Sequence, residues 1–332
     1  MILSLNQFKS VTQGAVNITY ENGNYYFYRM SKEEYNEDDR SIAEATAGIV
    51  LEFKTDASML KLKVITKPCM DIRSFFAFDI FENDSLIGNI QNFKDENMTD
   101  NYSGKQYPMG DYSGDFKLTD GKKTVKIVLP HTLIAGIREL ELCDATYIEP
   151  CKKDKILIAY GDSITQGYDA QHPSRTYAMQ IADYLGAELY NKAIGGAVFE
   201  HHLVNSSGQK NADYVLVSYG TNDWTVYTPD IIRENAAKFI ESVVTEYPDA
   251  VKFVITPIWR ASYKEEKIGG TFEGIANIIT DECAKYPDVK VIHGFNFVGH
   301  SPQYFGDGGL HPNDEGFNLY SKNLSDELNK LL

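Results

Sequence analysis

Four short stretches of the sequence contain residue types that can carry out acyl-transfer chemistry. They are residues 161–167 (GDSITQG), 191–197 (NKAIGGA), 220–224 (GTNDW) and 307–314 (DGGLHPND). A serine hydroxyl attacks an ester once a histidine within hydrogen-bond reach takes its proton. Glycine N–H groups and an asparagine amide can hold the negative charge that develops on the ester oxygen. These residue types point to Ser163 as a candidate nucleophile and to His311 as its base.

Each stretch also has an ordinary structural interpretation. Serine is a frequent helix N-cap, so Ser163 fits that role as well as the role of a nucleophile. The paired glycines Gly195 and Gly196 are typical of a tight turn, and Asn222 suits either a turn or a helix cap. The chain has seven histidines, and a single histidine is more often packed or exposed than catalytic. Taken one at a time, the stretches leave both interpretations open.

The second half of the chain predicts the elements that would position these residues. Short apolar runs indicate strands at 156–160, 188–191, 214–219, 251–256 and 290–293, and helical patterns cover 174–185, 229–246, 272–285 and 313–332. Alternating strands and helices predict a parallel sheet covered by helices. Ligands of such sheets bind beyond the carboxyl ends of the strands. Three of the four stretches directly follow a predicted strand, and the fourth precedes the last helix.

The first half has a different pattern. Strand-like runs of β-branched, aromatic and alternating residues lie at 24–30, 48–53, 59–64, 75–81, 85–90, 122–129 and 137–142. Many short strands at this spacing predict a β-sandwich, similar to a jelly roll. Only residues 32–47 suggest a helix in this half. We therefore predict two domains, 1–150 and 151–332, joined at a polar segment after Pro150.

Taken together and in this order, the four stretches resemble the sequence blocks of the SGNH (GDSL-type) hydrolase superfamily. The resemblance covers about the last 180 residues. It implies a flavodoxin-like three-layer α/β hydrolase domain, preceded here by the β-sandwich as in two-domain carbohydrate esterases. It also implies Ser163 as the nucleophile and His311 as the general base. The oxyanion donors would be the N–H groups of Ser163 and Gly196 and the side-chain amide of Asn222.

The third member of the triad departs from the family pattern. The family aspartate lies three residues before the histidine, whereas Asp307 lies four residues before His311. Either the extra glycine of Gly308 and Gly309 bulges out and leaves Asp307 in place, or a backbone carbonyl orients the histidine in a catalytic dyad. We predict that Asp307 completes the triad, because an orienting third group is the usual arrangement.

Aromatic residues follow two of the predicted strands and bear on the substrate. Trp224 and Tyr227 come with the third block, and Trp259 follows the fourth strand. Such rings stack on sugars, and they equally fill loops. Because the two-domain layout resembles carbohydrate O-acetyl esterases, we predict a small-molecule or oligosaccharide ester substrate contacted by these three residues. An acyltransferase of small-molecule biosynthesis and a non-catalytic sugar-binding relative remain alternatives.

Composition limits the partners. The net charge of −15 and the absence of a basic run argue against nucleic acid and against an anionic membrane surface. No apolar run approaches the roughly 20 residues of a membrane helix, and the start of the chain lacks a signal-peptide pattern, so we expect a cytoplasmic protein. Neither cysteines nor histidines have metal-ligand spacing, so we predict no metal and no cofactor. The sequence leaves open whether Cys143 and Cys151 pair, and it does not indicate the oligomeric state.

Overall fold

The computed structural model describes residues 1–69, 73–94, 106–209 and 211–332. The first half contains eleven described strands: β1 Thr12–Gln13, β2 Asn17–Glu21, β3 Asn24–Tyr28, β4 Val50–Thr55, β5 Met59–Lys67, β6 Ala77–Glu82, β7 Ser85–Gln91, β8 Asp111–Lys117, β9 Lys123–Val128, β10 Ile134–Cys143 and β11 Ile148–Pro150. The second half contains β12 Lys155–Gly161, β13 Ala187–Asn191, β14 Tyr214–Ser218, β15 Val251–Ile255 and β16 Val289–Ile292. The helices are α1 Leu5–Val11, α2 Arg40–Ala43, α3 Ser163–Gln166, α4 Tyr177–Leu185, α5 His202–Asn205, α6 Asp223–Val226, α7 Pro229–Glu246, α8 Phe272–Cys283 and α9 Asp314–Leu331.

The first half is built from two antiparallel sheets. One has the order β1-β4-β9-β6-β7, with β11 paired to β4, and the other has the order β2-β3-β10-β5-β8. Side chains along β5 alternate between buried and more exposed positions, as expected for a strand that covers a core with one face. Buried residues of both sheets, such as Phe53 and Leu62, belong to one hydrophobic core. The predicted β-sandwich is therefore confirmed.

The second half is a parallel sheet between two layers of helices. Its order, β13-β12-β14-β15-β16, is the flavodoxin-like order in which the first two strands of the sheet exchange places. Leu216 of β14 packs in the same core as residues of α4 and α9. Val215 and Val217 of the same strand pack in a second core, with residues of α7 and α8. The two faces of β14 thus serve two helical layers, which confirms the predicted three-layer fold.

Several elements differ from the sequence expectations. The predicted helix over 32–47 is wrong: this segment forms two short 3-10 turns and the four residues of α2. The helix predicted from Ser174 is α4, which begins at Tyr177 because Pro173 opens a separate 3-10 turn. Strand β8 was not expected, since its sequence DYSGDFK has few apolar residues and it buries none of its residues fully.

The two halves contact each other through buried polar groups. Arg29, fully buried, donates hydrogen bonds to the carbonyl oxygens of Asn191 and Ala193, at 2.8 and 2.6 Å. The ammonium of Lys192 pairs with the Glu34 carboxylate at 2.7 Å. These contacts fix the segment that follows β13. The antiparallel sheets end with β11 and the parallel sheet begins with β12, while the exact division into domains 1–150 and 151–332 stays a prediction.

Two smaller expectations concern the cysteines and the helices. All four cysteines are free thiols, so Cys143 and Cys151 do not form a disulfide in this structure. Among the residues that the structure describes, no helix has the length and apolar character needed to cross a membrane.

Candidate active site

The turn between β12 and α3 places Ser163 at the start of a helix. Asp162 is the N-cap, and its carboxylate accepts a hydrogen bond from the N–H of Ile164 at 2.9 Å. Ser163 is the first helical residue, so capping is not its role. A Cβ at Gly161 would lie 2.1 Å from Thr165 Oγ1 and 2.9 Å from the Ser218 carbonyl oxygen. Only glycine therefore fits where the chain turns sharply from strand to helix.

The structure brings Ser163, His311 and Asp307 into one hydrogen-bonded chain. Ser163 Oγ lies 2.8 Å from His311 Nε2, and His311 Nδ1 lies 2.7 Å from Asp307 Oδ2. The serine and histidine are 6% and 5% exposed. With a proton on Nδ1 donated to Asp307, Nε2 presents a lone pair to the Ser163 hydroxyl. This is the arrangement a general base needs.

Asp307 is held by its own loop. Its Oδ1 accepts hydrogen bonds from the N–H groups of Gly309, Leu310 and His311, at 3.1, 2.8 and 3.1 Å. Burial alone would raise the pKa of this carboxyl. The contact with His311 and the backbone N–H groups outweigh burial and bring the pKa of Asp307 well below its usual range. The carboxylate is thus ionised when it faces the imidazole.

The extra residue between Asp307 and His311 is absorbed at Gly308. This residue has a φ of +81°, in the left-handed region that glycine adopts without strain. The following residue, Gly309, accepts a hydrogen bond from the Ala261 N–H at 2.8 Å, which anchors the loop to the segment after β15. The departure from the family spacing therefore leaves Asp307 in contact with His311, and the geometry supports a triad rather than a dyad.

After β13, the backbone N–H groups of Gly195 and Gly196 differ in their hydrogen bonding. The Gly195 N–H donates to Gln166 Oε1 at 2.9 Å. The Gly196 N–H has no hydrogen-bond partner within the described residues, Gly196 is exposed, and its φ is +84°. A Cβ at Gly195 would clash with the Tyr168 hydroxyl, so a side chain there would require the Tyr168 ring to shift. Gly196 is therefore the donor that remains available to a ligand.

Asn222 lies at the start of α6, beyond β14, and its side chain does not cap that helix. Instead, Nδ2 donates a hydrogen bond to the Ala197 carbonyl oxygen at 2.9 Å. This bond joins the loop after β14 to the loop that contains Gly196. An amide nitrogen has two hydrogens, so the second one remains for a ligand. The predicted oxyanion donors thus follow three adjacent strands of the sheet.

The structure adds two residues that the sequence did not indicate. Arg73, from the connection between β5 and β6, places Nη2 at 3.0 Å from His311 Nδ1 and donates from Nε to Asp169 Oδ1 at 2.8 Å. Asp169 Oδ2 lies 3.8 Å from the same histidine nitrogen. Arg73 is far from the four blocks in sequence, and Asp169 matches no block residue, so no sequence signal pointed to either. Arg73 thus brings a positive charge next to two carboxylates, Asp169 and Asp307, and to His311.

The aromatic residues predicted to contact substrate are mostly packed. Trp224 is fully buried against Phe272, with ring centroids 4.9 Å apart, and its indole N–H donates to the Gly270 carbonyl oxygen. Trp259 is 7% exposed and stacks on His300 at 5.5 Å. Both rings are buried in this structure, and their contact with substrate stays a prediction. Tyr227 is half-buried at the edge of a core.

Two buried carboxyls, Asp162 and Asp223, lie in the loops near Ser163. Burial raises the pKa of Asp162 to about 7, and nearby Asp223 contributes to the shift. Burial also raises the pKa of Asp223 to about 6, although its contact with the Phe199 N–H opposes this. Both side chains accept backbone hydrogen bonds near the site. Their positions indicate that they shape the loops rather than exchange protons with a substrate.

Comparison with known proteins agrees with this geometry. The model of the GDSL-like Lipase/Acylhydrolase family matches residues 159–319, which include all four sequence blocks. No curated protein sequence gives a significant match.

Solved structures match the whole chain in fold. A salicylyl-acyltransferase from a tetracycline biosynthetic pathway is 17% identical, with a TM-score of 0.81 over 100% of this chain and 97% of that chain. A family two carbohydrate esterase from Cellvibrio japonicus is 12% identical, with a TM-score of 0.68 and the same coverage. An acetyl xylan esterase from Butyrivibrio proteoclasticus is 16% identical, with a TM-score of 0.63 over 100% and 99% of the two chains. Residues 159–319, with the parallel sheet that carries them, therefore match the GDSL-like Lipase/Acylhydrolase family and are consistent with the SGNH hydrolases.

Proposed function

We propose that this protein is a serine esterase that removes short acyl groups, most simply O-acetyl groups, from a carbohydrate. The observation that carries the proposal is the hydrogen-bonded chain from Ser163 Oγ through His311 to Asp307, with distances of 2.8 and 2.7 Å. A binding protein needs no nucleophile and base in contact. The same chain therefore argues against a non-catalytic sugar-binding relative.

The first half of the reaction forms an acyl-enzyme. Ser163 Oγ attacks the ester carbon while His311 Nε2 takes the hydroxyl proton. The carbonyl oxygen becomes an oxyanion, which the N–H groups of Ser163 and Gly196 and the free amide hydrogen of Asn222 would hold. When the intermediate collapses, the bond to the alcohol oxygen breaks. His311 then returns its proton to that oxygen, and the alcohol leaves.

The second half releases the acid. A water molecule attacks the acyl-enzyme carbon, and His311 Nε2 takes a proton from the water. The same donors hold the second oxyanion. Collapse breaks the bond to Ser163 Oγ, which recovers its proton from His311, and the carboxylic acid departs. Asp307 stays ionised throughout and stabilises the imidazolium that forms in each half.

Two observations support a carbohydrate ester. The fold over the whole chain is shared with structures described as a family two carbohydrate esterase and an acetyl xylan esterase. The oxyanion side of the site is open, since Gly196 is exposed and a Cβ added there would have no neighbour within 4 Å. A bulky alcohol can approach such a site more easily than an enclosed one.

The first test compares p-nitrophenyl acetate hydrolysis by the wild type, Ser163→Ala and Ser85→Ala, the last being an exposed serine in β7. We expect turnover by the wild type and Ser85→Ala, and loss to the uncatalysed level in Ser163→Ala. A panel of acetylated xylo- and cello-oligosaccharides then tests the alcohol. If a folded wild-type sample is no faster than Ser163→Ala, the esterase proposal is wrong.

An acyltransferase is the second candidate, favoured by the TM-score of 0.81 to the salicylyl-acyltransferase. Both enzymes would be labelled at Ser163 by a serine-directed phosphonate, whereas a binding protein would not. The esterase and the acyltransferase differ in whether the acyl-enzyme passes its acyl group to water or to an alcohol. An esterase gives mainly the free acid when acceptor alcohols are added, and an acyltransferase gives mainly the new ester.

A further inference from the structure

Arg73 and Asp169 form a buried ion pair against the side of His311 that faces away from Ser163. Arg73 Nε donates to Asp169 Oδ1 at 2.8 Å, and the two side chains are 3% and 0% exposed. Nη2 of the same guanidinium lies 3.0 Å from His311 Nδ1. Because the guanidinium is planar and rigid, its Nε donates to Asp169 while its Nη2 lies beside His311 Nδ1, whose own proton is donated to Asp307. The pair therefore contacts the imidazole as a unit.

Without Arg73, the carboxylate of Asp169 would interact strongly with His311 through its charge. Its Oδ2 lies 3.8 Å from His311 Nδ1 and has no hydrogen-bond partner within the described residues. Burial raises the pKa of Asp169, and the charge of Arg73 opposes that shift. A second carboxylate at this distance would favour the imidazolium form of His311, which cannot accept the proton of Ser163. Arg73 supplies the compensating charge.

We propose that Arg73 and Asp169 are positioning residues that support His311 with a charge-compensated contact, so that the β-sandwich half contributes directly to the site. Arg73 lies outside residues 159–319, to which the family model is matched. It precedes β6 and reaches the histidine from the first half of the chain. Our inference rests on the proposed esterase function, because its effect is read through the base.

Within the part of the chain that the structure describes, the charged and titratable groups in contact with His311 come from three segments. Asp307 contacts Nδ1 from the histidine's own loop, and Asp169 approaches it from the segment after α3. Arg73 approaches from the first half of the chain, and its guanidinium carbon lies 4.8 Å from the centre of the Tyr168 ring. The Tyr168 ring also packs beside the imidazole, with centroids 5.6 Å apart. Removing either member of the ion pair changes the charge beside the ring, and the two removals act in opposite directions.

The test is the pH profile of kcat/KM for an acetyl ester, whose acidic limb reports protonation of the base in the free enzyme. Arg73→Met leaves Asp169 uncompensated, so we expect this limb to move to higher pH by about one unit. Asp169→Asn removes a negative charge beside His311, so we expect the limb to move to lower pH. The double variant Arg73→Met/Asp169→Asn should return the limb towards the wild-type position. Damage to the fold alone would not move the two limbs in opposite directions.

Arg73→Lys separates charge from geometry. It keeps the positive charge and loses the planar fork, so we expect the limb to stay in place while kcat falls by roughly tenfold. Arg138→Met is the matched control, because Arg138 pairs with Asp111 elsewhere in the same half of the chain, and its kinetics should be unchanged. Thermal unfolding of each variant verifies that it is folded at the assay temperature. Should Arg73→Met fail to fold, two readouts still test the proposal. They are the movement of the acidic limb to lower pH in Asp169→Asn and the lower kcat with an unmoved limb in Arg73→Lys.

Two failures are distinguishable. If wild-type hydrolysis does not depend on Ser163, the esterase function itself is wrong. If hydrolysis depends on Ser163 but the acidic limb is unchanged in Asp169→Asn and Arg73→Met, or moves in the same direction in both, the role assigned to the ion pair is overturned.

Discussion

At the scale of single residues, Asp307 is the residue on which the choice between triad and dyad depends. Asp307→Asn keeps the shape of the side chain but removes the charge that stabilises the imidazolium, and it allows the wrong histidine tautomer. We expect kcat/KM to fall by about 10³–10⁴-fold. The measurement is hydrolysis of an acetyl ester, with Asp326→Asn on the exposed surface of α9 as the control. A loss below tenfold would favour a dyad.

The same scale shows what the sequence could reveal about the site. Ser163, Gly196, Asn222 and His311 could be named as candidates because each belongs to a block with recognisable spacing, and the structure brings Ser163 and His311 into contact. Their meeting at one edge followed from the parallel sheet. Arg73 was not predictable, because its contact with His311 depends on how the β-sandwich packs on the α/β half. A local sequence pattern contains no information about a contact between residues so far apart in the chain.

The aromatic residues illustrate a second limit. Trp224 and Trp259 occur in the right loops, yet their rings are packed in hydrophobic cores. Position in a loop at the site edge did not determine which way the side chains point. Large rings bury much apolar area, and that gain favours packing whenever the loop allows it.

At the scale of elements, the turn from β12 into α3 combines a tight glycine with a buried carboxyl cap. The pKa of Asp162 is raised to about 7, above the value of about 4 expected in the unfolded chain. A carboxyl that binds its proton more tightly when folded stabilises the fold below the unfolded pKa. That stability is lost as the pH rises through the folded pKa. The loss should therefore occur between about pH 4 and pH 7.

Asp162→Asn tests this element, since its side-chain oxygen can still accept the Ile164 N–H while the titrating proton is gone. We expect the free energy of unfolding of the wild type to fall relative to the variant between pH 4 and pH 7, by on the order of 1–4 kcal/mol. Urea unfolding at four pH values measures it. Parallel curves for the two proteins would mean that Asp162 is already ionised at low pH in the folded chain.

The helices and strands that were predicted correctly are the long ones or those with a clear apolar pattern. Helix α7 begins and ends at the predicted residues, because a proline at its first turn and a long amphipathic pattern define it. Strand β8 and helix α1 were missed, since one is polar along its length and the other has only seven residues. Short or half-exposed elements are stabilised by their partners, and their own sequence contains little of that information.

At the scale of the whole molecule, the ion pair between Lys192 and Glu34 links the two halves. Its side chains are 0% and 1% exposed, and Lys192 also donates to the Arg29 carbonyl oxygen at 3.0 Å. Burial lowers the pKa of Lys192, and the Glu34 carboxylate opposes that shift. The ammonium is thus tolerated in the interior only with its partner. Since Lys192 precedes the loop that ends at Gly196, the pair also supports the site.

Glu34→Gln should therefore destabilise the protein by about 3–5 kcal/mol, because it leaves a buried charge unpaired. The double change Glu34→Met/Lys192→Met should cost less than the single change, since it removes both charges. Glu149→Gln breaks the exposed pair with Lys54 and should change stability by at most about 1 kcal/mol.

Chemical unfolding followed by fluorescence and by esterase activity gives one coincident transition if the two halves of the chain depend on each other for stability. The opposite result would be two separated transitions, together with an equally small loss of stability in Glu34→Gln and Glu149→Gln. It would show that the α/β half keeps its site intact without the β-sandwich.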